Sequence, residues 1–386
     1  MGHSLRMAAR WAKFRLTAES IFDYLAALST DGAGDSRATA LAGNWSRFAR
    51  WSIGAAAAAV FSLLGAVTLL NPFGNFPIGG QTARFAHSNQ RYIYPAIIRS
   101  HDFDSAVFGS STSRLLEPSL LNAKLGGRFA NFSMDAGTAW EQYRLINLFL
   151  AHTSRPKTLV LSLDPFAWCN PRADEQRVTF RLFPESFYDE NRLNDFADIL
   201  NLEISDVLIH TVGMMISARE PKFDHTGYGD FTPGEANYDP SRAWERVHGD
   251  RPASGPGRAV KPTPQRLASM KFPALVWLRE VVNLAPDATR VVFVRMPVHV
   301  ADQAVPGSLG AAASEECFRR IVELARRRGV HVLDMQFPSP ITTTDLNYWD
   351  RRHFRLPIGR RTIDEMAQAL SGGAPSDVLR VMTQPR

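Results

Sequence analysis

The chain is short of cysteine, and one stretch of it lacks charge altogether. Cys169 and Cys317 are its two cysteines, too few for a disulfide framework and without metal-ligand spacing. A single bridge in an oxidising compartment and two buried thiols both remain open. There is no zinc-finger spacing, no aromatic RNA-binding motif and no basic stripe. The basic residues behind the net charge of +6 are scattered, which argues against a nucleic-acid partner. No internal repeat occurs, and the composition is ordinary for a folded protein, which argues against wholesale disorder. A length of 386 residues allows a large core and one or two domains.

The uncharged stretch runs from Ser52 to Leu70, with Ile53, Val60, Phe61, Leu63, Leu64, Val67, Leu69 and Leu70 around an alanine block. About 19 helical residues at about 1.5 Å each reach roughly the thickness of a hydrocarbon layer. Asn71-Pro72 ends the run. The expectation is one transmembrane helix over 51–71; a buried core helix is the competing reading. A cleaved signal peptide fits poorly, because the run starts late and no small-x-small site follows it. Arg37, Arg47 and Arg50 closely precede the run, with Arg6, Arg10, Lys13 and Arg15 further upstream, while Arg84 alone follows closely. The positive-inside rule then keeps residues 1–50 in the cytoplasm and exports the rest, into the periplasm of a bacterium with two membranes. Within 1–50, residues 5–28 alternate apolar and basic side chains as an amphipathic helix, and 31–35 reads as a link.

After a connecting arm over 72–103, strands and helices alternate through a domain over 104–372. Expected strands are Ala106–Phe108, Arg128–Phe132, Thr158–Leu163, Arg290–Arg295 and Val330–Leu333. Expected helices are Pro118–Leu125, Trp140–Ala151, Ala274–Asn283, Ser314–Arg328 and Pro357–Leu370. An insertion at about 165–272 interrupts the alternation, with an amphipathic helix over Asn194–Ser217 and an irregular, Gly/Pro-rich stretch over 219–266. Residues 373–386 read as a tail. Alternation of this kind implies an α/β fold: an open parallel sheet with helices on both faces.

In such a sheet, ligands bind beyond the carboxyl ends of the strands. Polar residues cluster there. Ser110 and Ser111 follow the first strand, Asn131 to Gly137 the second, Asp164 the third, His299 the fourth, and Asp350 and His353 lie between the last strand and the last helix. Each has a plainer reading: Gly109-Ser110-Ser111-Thr112 as a capping turn, Asp350 and His353 as a surface pair, Gly137 as backbone geometry, Asp164 as a turn residue before Pro165, and His299 as structural. A metal site on Asp350 and His353 lacks further ligands, and no cofactor motif occurs.

Gly109-Ser110-Ser111 and Asp350-Arg351-Arg352-His353 together resemble the first and last blocks of the SGNH (GDSL-like) hydrolase superfamily, over roughly residues 100–370. The likeness is to its membrane-anchored bacterial Gly-Ser-Ser members, which include proteins of cell-surface polysaccharide acylation. The resemblance implies a flavodoxin-like three-layer fold with Ser111 as nucleophile, His353 as base and Asp350 as its orienting partner. Asn131-Phe132-Ser133-Met134-Asp135-Ala136-Gly137 is similar to the second block and nominates Gly137, beside the Ser111 N–H, as an oxyanion donor. The third block departs: Asp164 stands where an asparagine donor is expected, and an ionised carboxylate cannot donate.

The expected function is that of an anchored esterase or O-acyltransferase acting on an ester-linked acyl group, acetyl foremost, of a surface glycan. The partners implied are the bilayer through residues 52–70 and a membrane protein of a polysaccharide assembly system. The alternative is a catalytically silent binding or scaffold subunit of such a system.

Overall fold

In the computed structural model, residues 35–74, 87–199, 203–249, 262–374 and 376–383 are described. The amphipathic helix expected over 5–28, its basic residues, most of the 31–35 link and Arg84 lie outside them. The chain divides into two compact units, Met1–Ala66 and Val67–Arg386. Helix α1 covers Asp35–Leu70, and its Asn44–Leu70 portion is long and apolar enough to cross a membrane. It stops at Asn71, which takes the left-handed φ of 44° common at helix C-termini, and Asn71 N–H donates to Val67 O at 2.9 Å.

The larger unit is α/β. Its elements run α2 Gln90–Arg99, β1 Ser105–Gly109, α3 Pro118–Leu125, β2 Phe129–Ser133, α4 Ala139–His152, β3 Thr158–Ser162, α5 Pro165–Trp168, α6 Asp195–Ile199, α7 Ile204–Met215, α8 Pro240–His248, α9 Pro264–Ala268, α10 Ala274–Leu284, β4 Arg290–Arg295, α11 Leu309–Arg326, β5 His331–Asp334, α12 Leu356–Leu370 and β6 Arg380–Thr383. The six strands lie in the order β2-β1-β3-β4-β5-β6. The first five are parallel and β6 is antiparallel to β5. Every residue of β1, β2 and β3 is buried, as coverage of both faces requires. Successive strand residues point to opposite faces. Val107 joins Leu121 of α3 and Ile363 and Met366 of α12 in one core, while the Phe108 ring meets Phe149 of α4, 5.7 Å away, on the other face.

Four expectations about the chain's organisation change. Residues 72–103 are not simply an arm, because they contain α2, whose residues from Gln90 to Ile98 are buried. The expected tail over 373–386 contributes β6, so the sheet is mixed rather than wholly parallel. The helix expected over Asn194–Ser217 is two helices, α6 and α7, and the stretch expected to be irregular contains α8.

Cys169 and Cys317 form a disulfide, which resolves the alternatives left open by the sequence. The bridge ties the residue after α5 to α11 across 148 positions, a long loop whose closure restricts the unfolded chain. Reduction, or a Cys169→Ser/Cys317→Ser double variant, is expected to cost about 2–4 kcal/mol. The check is a thermal melt of the detergent-solubilised chain with and without reductant; superimposable curves would refute it.

Candidate active site

The sheet order reverses beside β1: the chain moves from β1 outward to β2, then returns to the far side of β1 for β3. A crevice opens at such a point at the carboxyl ends of the strands. β1 delivers Ser110 and Ser111 there, and β3 delivers Asp164.

β1 ends at Gly109, a position where nothing larger fits. A Cβ there would overlap Ser113 Oγ and lie 2.6 Å from Ser162 Cβ. The turn that follows, Ser111–Ser113, is a single 3-10 turn capped by the Ser110 side chain, which accepts from Thr112 N–H. Ser113 N–H donates to Ser110 O at 3.2 Å, and Ser113 Oγ lies 2.8 Å from Ser133 Oγ. Gly109→Ala is therefore expected to displace the Ser111 turn, lowering the melting temperature and removing whatever activity Ser111 carries. A variant with the parent's melting curve and activity would show that the turn can yield.

Ser111 and His353, 242 positions apart, meet at this rim. Ser111 Oγ lies 2.8 Å from His353 Nε2, and His353 Nδ1 lies 2.8 Å from Asp350 Oδ2. The local fold fixes this geometry. Asp350 Oδ1 accepts the N–H groups of Arg352, at 2.8 Å, and of His353, at 2.9 Å, so one carboxylate oxygen closes the turn while the other faces the ring. The flanks are held by the Tyr348–Phe354 bridge and by Trp349 N–H donating to His353 O at 2.8 Å. Burial alone would raise the Asp350 pKa. The hydrogen bond and charge of His353, with the two backbone N–H groups, outweigh burial and bring it down to about 2. An ionised carboxylate at Nδ1 favours the tautomer with its proton there, leaving Nε2 to accept the Ser111 proton.

The other residues singled out from the sequence have different duties. Asn131 is a brace: its Nδ2 donates to Ser113 O at 3.0 Å and Leu116 O at 2.9 Å, and its Oδ1 accepts from Ser133 N–H at 3.0 Å. It fixes the Ser111 turn and does not face a ligand. Gly137 N–H, expected as an oxyanion donor, donates to Met134 O at 3.1 Å. The glycine instead permits close packing, since a Cβ would lie 3.2 Å from Gly109 O. Of the expected donors this leaves the Ser111 N–H. Asp164 is buried and accepts from Thr112 Oγ1 at 2.7 Å. Burial raises its pKa, opposed by hydrogen bonds from Ser110 and Thr112 and by the charge of Arg352. It pins the Ser111 turn to β3 as an acceptor. His299 caps a short turn, its Nδ1 accepting from Ala301 N–H at 3.1 Å, and its Nε2 lies 3.0 Å from Asp345. Burial lowers its pKa, and Asp345 works the other way. Its role is structural.

Sequence reasoning passed over the surroundings of the pair. A cleft of about 350 Å3 is lined by Thr112, Asp164, Phe166, Val298, Asp302 and Arg352 among others. Its lining includes Thr112, the residue after Ser111, and Arg352, the residue before His353. The Arg352 guanidinium holds Asp302 with two bonds of 2.9 and 3.1 Å and sits 5.3 Å from the centre of the Phe166 ring. Its place inside Asp350-x-x-His353 was the available signal. The insertion also reaches the site. Phe231 turns its ring edge-on to His353 with centroids 5.4 Å apart, Arg114 covers the Phe231 ring at 4.3 Å, and Glu235 pairs with Arg355. Among the described residues, no group of three or more His, Cys, Asp or Glu could hold a metal ion.

No protein-family model matches the chain, and no curated protein matches it significantly.

Proposed function

We propose that the chain is a membrane-anchored serine esterase or O-acyltransferase of SGNH type, acting on an acyl ester of a surface glycan. One observation carries the reading: the Ser111–His353–Asp350 chain of contacts at 2.8 Å each, at the switch point of the sheet. The strand order 2-1-3-4-5 is consistent with it, being the flavodoxin-like arrangement.

In the proposed reaction His353 Nε2 takes the Ser111 proton as Oγ bonds to the acyl carbon. The carbonyl oxygen becomes an oxyanion facing the Ser111 N–H. The intermediate collapses, the bond to the alcohol breaks, and His353 returns the proton to the leaving oxygen. Water, or a sugar hydroxyl in the transfer reaction, then gives its proton to His353 and attacks the acyl-serine, releasing Ser111. Asp350 holds the ring and balances its transient positive charge.

The disulfide supports an oxidising compartment for the larger unit. Arg47 and Arg50 on the N-terminal side of the apolar run support a cytoplasmic N-terminus. The proposed setting is therefore a bacterial inner membrane, with the α/β unit in the periplasm and a polysaccharide assembly protein as neighbour. The test is turnover of p-nitrophenyl acetate by the detergent-solubilised chain, with fluorophosphonate labelling of Ser111. No turnover above buffer, or label on another residue, would overturn the reading.

The Gly137 N–H, already bonded to Met134 O, and the aspartate at 164 in place of an asparagine donor favour a second reading, a catalytically silent binding or scaffold subunit. Retained glycan binding and full complementation of a deletion strain by Ser111→Ala would establish it.

A further inference from the structure

The larger unit begins at Val67, within the last turn of the helix that is apolar enough to cross a membrane. Where that helix crosses a bilayer, the residues that follow Val67 are tied to the membrane by the chain itself. The corner of the unit next to Val67 is well defined. The Phe73 ring packs on His87 and on Phe187, at 5.7 Å in each case. His87 Nε2 in turn lies 3.2 Å from Glu203 Oε2, and Glu203 is the residue from which α7 springs.

α7 has more apolar surface than the unit covers. At about 100° per residue, its buried residues Ile204, Val207 and Thr211 occupy one edge of an apolar arc. Leu208, Ile209, Val212, Met215 and the following Ile216 continue that arc around the open side. Ile209 is 63 % exposed and Ile216 71 %. Asp206 and His210 mark the polar edge, and exposed Arg219 and Lys222 follow the helix. The neighbouring surface is apolar too: Leu182, 52 % exposed, has its carbonyl bonded by Asn89 at 2.7 Å, two residues from His87.

We propose that the open apolar face of α7 lies at the headgroup–acyl boundary of the bilayer that the membrane-crossing helix enters, a second and interfacial contact beside the anchor. Three features fit a lipid surface: covalent continuity with the anchor, a one-sided apolar stripe with a polar opposite edge, and basic side chains able to reach headgroups while their stems stay apolar. The proposal rests on the reading of Asn44–Leu70 as membrane-crossing and is independent of the acyl-transfer chemistry.

The test uses the full chain with one introduced cysteine at a time, the native disulfide intact: Val212→Cys, Ile216→Cys and, on the polar edge, Asp206→Cys. Each carries an environment-sensitive fluorophore and is reconstituted at one copy per nanodisc in phosphatidylethanolamine–phosphatidylglycerol, with and without lipid bearing a nitroxide near the top of the acyl chain. The labels at 212 and 216 are expected to emit further to the blue and to be quenched at least about twofold more than the label at 206. Equal quenching at all three positions overturns the proposal. So does shielding that appears solely in discs holding two copies, which would make the partner a second chain. Flotation with lipid vesicles separates the two levels: a chain that does not float loses the anchor and this contact together, whereas a floating chain with unquenched labels loses this contact alone.

Discussion

Ser111→Ala is expected to lower turnover of a small acetyl ester by about 10³–10⁶-fold, down to the rate left by binding and oxyanion contacts. The melting temperature should hardly move, because the Ser111 hydroxyl bonds His353 at a partly buried position and no core contact is lost. Asp350→Asn should cost less, about 10²–10⁴-fold, since the ring keeps its place but loses the charge that fixes its tautomer. The pH profile adds a constraint. Asp350 has its carboxyl held at about 2, below the ordinary value. The contact therefore contributes its full stabilisation above the unfolded pKa of about 4 and loses it as pH falls towards 2. Any acid limb between pH 4 and 7 accordingly belongs to a group other than Asp350. Initial-rate measurements across pH 4–9 on the parent and Asp350→Asn check this, and a limb near pH 5 that vanishes in the variant would contradict it.

The meeting of Ser111 and His353 was legible because both lie beyond strand ends. β1, β3 and β4 read as apolar runs, being buried on both faces, and the polar residues just after them could be picked out without a fold. What was not legible depends on where other parts of the chain lie. The Gly137 sequence shows that a backbone position is tight, but not which carbonyl its N–H meets. Asn131 stands among the polar residues at the end of the second strand, and three-dimensional proximity makes it a brace for Ser113 and Leu116. β6 is a four-residue edge strand with Arg380 exposed, too short for a period of two to stand out. The Cys169–Cys317 pairing needs the approach of α5 and α11, which no spacing encodes. α2 was hidden for a different reason. It holds Pro95 in its interior, and its buried residues include Gln90 and Arg91, so its propensity is poor and polar residues interrupt its buried surface.

That burial of Arg91 becomes tolerable through Glu141, and breaking the pair is expected to have the largest effect on stability. Both side chains are fully buried. Arg91 Nε donates to Glu141 Oε1 at 2.9 Å and Nη2 to Oε2 at 2.6 Å, with a further bond from Nη2 to Asp135 O at 3.0 Å. Glu141 also accepts the N–H groups of Thr138, at 2.9 Å, and Thr179, at 3.2 Å, so it completes the capping box of α4 and pins the insertion. Removing one partner strands the other charge in the interior. Glu141→Leu or Arg91→Met alone should therefore cost about 3–5 kcal/mol, or about 4–7 °C in melting temperature for a unit of this size. An apolar pair, Arg91→Met with Glu141→Leu, removes both charges and should recover much of that loss, but not all, because the Thr138 and Thr179 N–H groups then lack an acceptor at about 1–3 kcal/mol each. Melting the four proteins side by side gives the coupling directly. A double variant that falls by the sum of the single losses would mean that the two residues act separately. α2 would then be held by its aromatic contacts, Tyr92 on Phe187 at 5.3 Å and Tyr94 on Phe132 at 5.3 Å, rather than by the ion pair.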